Sequence, residues 1–106
     1  MGQFVNGDVV VLPFPFSDLS ATKRRPALVL ATLPGNDLIV CQITSQHVRD
    51  GLSIALEQND FLTGQLSQPS NIRPNRIFTA EQSLVLYSIG RVKPEMLREV
   101  YETLHR

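Results

Sequence analysis

Tryptophan is absent from the chain, cysteine is reduced to Cys41, and histidine to His47 and His105, within 106 residues. A single cysteine closes no intramolecular disulfide, and with only two imidazoles it makes a poor ligand set for zinc, so no metal site is expected. The phosphate loop of nucleotide hydrolases, the glycine fingerprint of dinucleotide-binding folds, the paired histidines of zinc proteases and the nucleophile elbow of serine hydrolases are all missing. No cofactor is expected. No apolar run approaches the length that crosses a bilayer, and residues 1–8 lack the basic start and apolar stretch of a signal peptide. The expected setting is a reducing cytoplasm, with no membrane contact. Charge of one sign is lacking as well. Ten basic and ten acidic side chains cancel, which excludes a global positive field; any binding of nucleic acid must be local.

What is present suits a globular fold: 42% of the residues are hydrophobic and 19% charged. The length fits one domain, 1–106. A chain this small buries a modest share of its surface, so hiding a further apolar face in a homodimer is physically favourable. Val9-Val10-Val11-Leu12, opened by Gly7-Asp8 and closed by Pro13, reads as a buried strand. Pro13 and Pro15 then stop regular pairing and open a loop that runs to Arg24, anchored by Phe14 and Phe16. Residues 26–31 form a second strand, Pro34-Gly35-Asn36-Asp37 has the composition of a hairpin turn, and Leu38 to Thr44 is the return strand. Alternation of Leu52, Ile54 and Leu56 predicts a half-exposed strand, Ser70-Asn71-Ile72-Arg73 begins another, and Leu84 to Val92 has strand character. Thr79-Ala80-Glu81-Gln82 matches a capping box at the start of a short helix. Pro94 suits a first helical turn, and Leu97, Val100, Tyr101 and Leu104 form the inward stripe of a C-terminal helix. The fold class is α+β and mainly β: a small, curved antiparallel sheet approaching an SH3-like barrel, with a short helix and a C-terminal helix.

Lys23-Arg24-Arg25 is the densest basic cluster and lies where the loop becomes the second strand. Charged residues are mostly exposed, so a solvated patch is the ordinary reading of such a triplet. Arg25 differs because Pro26 biases it toward an extended backbone, which holds its side chain at the strand mouth. A guanidinium is planar, always charged and suited to bidentate phosphate contact. Thr44 ends the return strand of the same hairpin and can face the same mouth, although strand-end hydroxyls commonly serve the local backbone. Arg73 and Arg76 add positive charge, and each reads equally well as a surface ion pair.

Gly7-Asp8-Val9-Val10, the Pro-Phe-Pro-Phe-Ser-Asp loop and Lys23-Arg24-Arg25-Pro26-Ala27-Leu28-Val29-Leu30 together resemble toxins of the MazF/PemK family. Ile43-Thr44-Ser45-Gln46 is similar to the family's second active-site segment, Ser70-Asn71-Ile72-Arg73-Pro74 to its third, and Ile89-Gly90-Arg91-Val92 precedes the expected terminal helix. The resemblance implies a symmetric homodimer, metal-independent cleavage of single-stranded RNA, and an antitoxin that occludes the RNA site. It carries the catalytic arginine onto Arg25 and the catalytic hydroxyl onto Thr44. Phe16, Lys23, Ser45, Gln46 and Arg73 become candidates for holding RNA, with Arg24 and Arg76 beside them. One departure stands out: some relatives carry an acidic residue two positions after the arginine of the third segment, where this chain has Asn75, which cannot act as a base. His47 is near in sequence and has a suitable intrinsic pKa. Two other activities are compatible with such a fold: a poison of DNA gyrase, as in the CcdB toxins, or an inactive SH3-like interaction module.

Overall fold

Strand alternation decides which side chains go inside, and bulges decide where the sheet bends. The computed structural model describes residues 4–15, 22–46 and 50–105, so Phe16 and His47 lie outside the described residues. Among these, seven strands make one antiparallel sheet: β1 (Asp8–Pro15), β2 (Thr22–Thr32), β3 (Asp37–Thr44), β4 (Ile54–Leu56), β5 (Phe61–Gly64), β6 (Ser70–Glu81) and β7 (Tyr87–Val92). One helix follows, α1 (Pro94–Leu104). The strand order is β4-β6-β3-β2-β1-β7-β5, and the sheet curls into a half-barrel with β4 and β5 at its two ends.

The expected loop after Leu12 is shorter than its prolines suggest, because β1 runs to Pro15 and β2 starts at Thr22. Pro13 pairs with Arg24 across β2, and the reason it can do so lies on the other edge. The Leu86 amide donates to the Val11 carbonyl at 2.8 Å, so residues 11, 13 and 15 turn their backbone groups toward β7. The β7 pairing ends at Val11, and the amide hydrogens that prolines lack are therefore not needed there. Pro26 obeys the same rule. It faces β3 just beyond the last β2–β3 pair, Ala27 with Gln42.

Two apolar clusters result from the period of two. Val9, Leu28, Cys41, Ile43, Ile72 and Val100 belong to the cluster that α1 covers. Val10, Leu12, Ala27, Val29, Leu38 and Val40 belong to the other, enclosed on the opposite face of the sheet with Phe14 and Phe78 packed against it. Leu30 is the extra residue of a bulge on β2, since Val29 pairs with Val40 and Ala31 with Ile39. Its carbonyl is left without a ladder partner, and the Tyr101 hydroxyl donates to it at 2.5 Å. A larger bulge lies on β6, where Gln42 opposes Arg73 and Cys41 opposes Ile77, so that Pro74-Asn75-Arg76 loops out of the ladder. Both bulges bend the sheet toward closure.

Two further sequence expectations change. Thr79, Ala80 and Glu81 do not begin a helix; they pair with Ile39, Leu38 and Asp37, and only a 3-10 turn, Gln82–Leu84, follows. Burial of Ala80 in the enclosed cluster and three ladder pairs outweigh a local capping signal. The inward stripe of α1 is also shifted: Met96, Val100 and Thr103 are buried, whereas Leu104 is 37% exposed. Thr103 goes inside at little cost because its hydroxyl donates to the Glu99 carbonyl at 3.0 Å. Strand β5 carried no clear period in the sequence. It is held by close backbone approach: a Cβ on Gly64 would lie 2.1 Å from the Ile89 carbonyl oxygen, and one on Gly90 2.3 Å from that of Thr63. Next to it, Arg91 Nε donates to Asp8 Oδ1 at 2.7 Å, while Asp8 Oδ2 accepts the Val5 amide at 2.9 Å. The Gly7-Asp8 and Gly90-Arg91 segments, distant in sequence, are thus one structural clasp.

Candidate functional site

The face that carries the enclosed cluster changes character along β2 and β3. Counting back by twos from Val29 gives Ala27, Arg25 and Lys23; counting forward from Val40 gives Gln42 and Thr44. Aliphatic side chains give way to polar and cationic ones on the same face, at the end of the sheet where the β6 bulge opens the ladder. There they line a groove of about 830 Å³. Arg25 and Lys23 reach it from β2, Gln42 and Thr44 from β3, Arg73 from just before the bulge and Arg76 from within it. Gln46 lines it as well, and Phe14, Ile77 and Phe78 add apolar surface. The Phe14 and Phe78 rings meet edge to face, with centroids 4.9 Å apart.

The hydroxyl of Thr44 has a defined role. Its Oγ1 accepts the Gln46 amide at 3.1 Å, which occupies a lone pair and leaves the hydroxyl proton to be given to a ligand. The strand end is pinned a second time, because Asn71 Nδ2 donates to the Gln46 carbonyl at 3.1 Å. Arg73 is held from outside by Asp50, Nη2 to Oδ2 at 3.4 Å. Asp50 also accepts the amides of Leu52 and Ser53. The Leu52 amide, then those of Ser53 and the Arg73 side chain, hold the Asp50 carboxyl below the usual carboxylate range. Arg73 Nε is buried and has no acceptor among the described residues, a donor left for an incoming anion.

Arg25, Thr44, Lys23, Gln46, Arg73 and Arg76 therefore come together, although they are spread over 53 positions between Lys23 and Arg76. Arg24 and Ser45 do not join them. One step along a strand reverses the face, and both line a separate pocket of about 180 Å³ with Ser67, Gln68 and Ser70. Gln42, Phe14, Phe78 and Asp50 had not been singled out as site residues. Gln42 was within reach of the sequence, two positions before Thr44 on a strand; Asp50 was not, because its contact with Arg73 spans 23 positions.

The site's residues fall within a matched region, residues 6–106, of the PemK-like, MazF-like toxins of type II toxin–antitoxin systems. The chain belongs to this toxin family. Curated protein sequences provide no significant match. Among solved structures, the MazE-MazF complex of Deinococcus radiodurans (Form III) contains a chain with a TM-score of 0.75 and 19% identity, covering 95% of this toxin-family chain and 92% of its own. An endoribonuclease from a mycobacterial species gives 0.71 and 18%, covering 98% and 89%. Another, in complex with its cognate antitoxin, gives 0.71 and 18%, covering 95% and 90%. At these identities the likeness is one of fold: the curled sheet and terminal helix are those of the MazF structures. No helix among the described residues is long and apolar enough to cross a membrane.

Proposed function

We propose that this toxin-family chain is an endoribonuclease that cuts single-stranded RNA without a metal ion, using Arg25 and Thr44. The observation that supports this most is the lining of the groove. Guanidinium, ammonium, hydroxyl and amide groups converge, and no carboxylate or imidazole lies among its described lining residues. Such a donor set complements a phosphate rather than a cation. The RNA 2′-hydroxyl attacks the adjacent phosphorus, the P–O5′ bond breaks, and a 2′,3′-cyclic phosphate and a 5′-hydroxyl result. The 2′-hydroxyl proton leaves to solvent, and the departing O5′ takes one up. Arg25 neutralises the charge that builds on the phosphoryl oxygens, and Thr44 donates a hydrogen bond to one of them. Lys23, Gln46, Arg73 and Arg76 hold the flanking backbone. With Asn75 in the outlooped bulge, no acid sits two positions after Arg73, so the electrostatic term carries the reaction.

The same reading includes a cytoplasmic setting, a homodimer, and a cognate antitoxin that covers the groove. Because the protein has no net charge, an acidic antitoxin segment would be drawn to this groove rather than to the surface at large.

The test is to incubate the purified protein with mixed-sequence RNA and matched DNA, with and without a chelator, and to analyse the ends. RNA cut to cyclic phosphate and 5′-hydroxyl ends, unaffected by the chelator, with DNA intact, is the expected result. Cleavage of both polymers, or cleavage that the chelator stops, would overturn it. Inhibition of gyrase in the absence of RNA would point to the CcdB-type activity instead.

A further inference from the structure

Of the cations in the groove, Lys23 and Arg76 are exposed, whereas Arg73 is half-buried and carries a counter-ion from outside the groove. Its place in the sheet explains why that support matters. On β6, Arg73 opposes Gln42 and is the last paired residue before the ladder breaks, and pairing resumes only at Ile77. Toward β4 the pairing stops one residue earlier, at Ile72 with Ile54. Arg73 thus stands where both ladders of β6 end. A long side chain at such a point has many rotamers to lose when it takes hold of a phosphate.

Asp50 limits those rotamers beforehand. The β4 pairing that sets Ile54 against Ile72 brings the turn before it, residues 50–53, alongside Arg73, and Asp50 Oδ2 lies 3.4 Å from Arg73 Nη2. The other carboxylate oxygen is committed to the turn: Oδ1 accepts the Leu52 amide at 2.9 Å and the Ser53 amide at 3.1 Å. The carboxylate is fixed by its own backbone, and the Leu52 amide above all keeps it ionised by holding it below the usual carboxylate range. Its direction is therefore defined before Arg73 meets it, unlike that of an ordinary surface pair whose two flexible partners must both be ordered. A guanidinium has five N–H donors, and Asp50 takes Nη2 while Nε has no acceptor among the described residues. The pairing leaves capacity for a second anion.

We infer that Asp50 is a positioning residue for RNA: it holds Arg73 ready for a backbone phosphate, so that the phosphate does not have to order that side chain itself. This rests on the endoribonuclease reading above. Asp50 is not among the residues that line the groove, and its effect passes through Arg73. The sign of that effect is diagnostic. A carboxylate that merely stood near an RNA site would repel the polyanion, and removing it would tighten binding; removing a brace loosens it.

The experiment introduces Asp50→Asn into the wild-type protein and into Arg73→Ala. Asparagine keeps Oδ1 for the two amides, so the turn survives, but it turns an amide donor toward Nη2 and the brace is lost. The probe is an RNA oligonucleotide that the wild-type protein cuts, made with a 2′-deoxy sugar at the cleaved nucleotide so that it binds without reacting. Its Kd is measured for all four proteins at about 0.15 M salt, where distant charges are largely screened. Thermal unfolding checks that each is folded, and kcat is measured on the unmodified oligonucleotide. Asp50→Asn should raise Kd by about two- to tenfold, the cost of ordering one long side chain on binding, and leave kcat close to the wild-type value. In Arg73→Ala the same substitution should leave Kd unchanged or lower it. A Kd for Asp50→Asn at or below the wild-type value, a loss confined to kcat, or an equal rise in both backgrounds would overturn the positioning role and leave the endoribonuclease reading standing. RNA left intact by the wild-type protein would overturn that reading, and this role with it.

Discussion

The two faces of the sheet begin alike and end differently. On the face under α1, β2 and β3 contribute Leu28, Leu30, Cys41 and Ile43, all buried. On the enclosed face the same strands contribute Ala27, Val29, Leu38 and Val40, buried just as fully. The helix-covered face stays apolar through Pro26 and turns charged at Arg24, which lines the separate, smaller pocket. The enclosed face switches at Arg25 and Gln42 to polar and charged groups, where the β6 bulge interrupts the β3–β6 ladder. The candidate site thus lies one residue along the same strands from the side chains that pack under the helix.

The largest effect should come from the polar end. Arg25→Ala removes the β2 guanidinium from the groove, and the rate of RNA cleavage is expected to fall by about 10²–10³-fold while the protein remains folded; a folded variant that cleaves at the wild-type rate would remove Arg25 from the mechanism. On the opposite face the expected loss is of stability. Ile72→Ala opens a cavity between β3 and β4 and should lower the unfolding free energy by about 2–5 kcal/mol in a urea titration. A value near zero would mean that the helix-covered cluster is not the core.

The buried thiol gives a pH test of the same face. Desolvation pushes Cys41 from its ordinary value of 9.0 up to about 12. A folded pKa raised above the unfolded one stabilises fully below the unfolded value and ceases to do so as pH climbs through the folded one. Stability should therefore fall by about 1.4 kcal/mol per pH unit between the two values. Tyr101, raised chiefly by burial, acts in the same direction. Urea midpoints on either side of that threshold would measure the slope, and Cys41→Ala should flatten it. The smallest effect belongs to the bulge. Tyr101→Phe leaves the Leu30 carbonyl without its donor and should cost about 1–2 kcal/mol, with cleavage unchanged because Tyr101 lies on the face away from the groove.

Much of this could be read in the sequence where the signal is local and periodic. The β-branched runs placed the cores of β1, β2 and β3, and Pro94 placed the start of α1. The family motifs placed Arg25, Thr44 and Arg73, which the fold brings into one groove. Other features were hidden for specific reasons. Pro13 is compatible with a strand only because β7 ends opposite Val11, which no local pattern records. Thr79 carries a helix-start signal that pairing with β3 overrides. Arg24 and Ser45 look like members of the site in the linear order, yet pleating turns them to another pocket.

The sequence by itself determined the class of fold, the toxin family and the residue types that phosphate chemistry would use, because these depend on composition, short-range periodicity and motif order. Only the tertiary structure decided which of those residues share a face, that Asp50 braces Arg73, and that Gln42, Phe14 and Phe78 join the cations in one groove. Those relations follow from strand register and bulges, and register is set by contacts between segments that the linear order keeps apart.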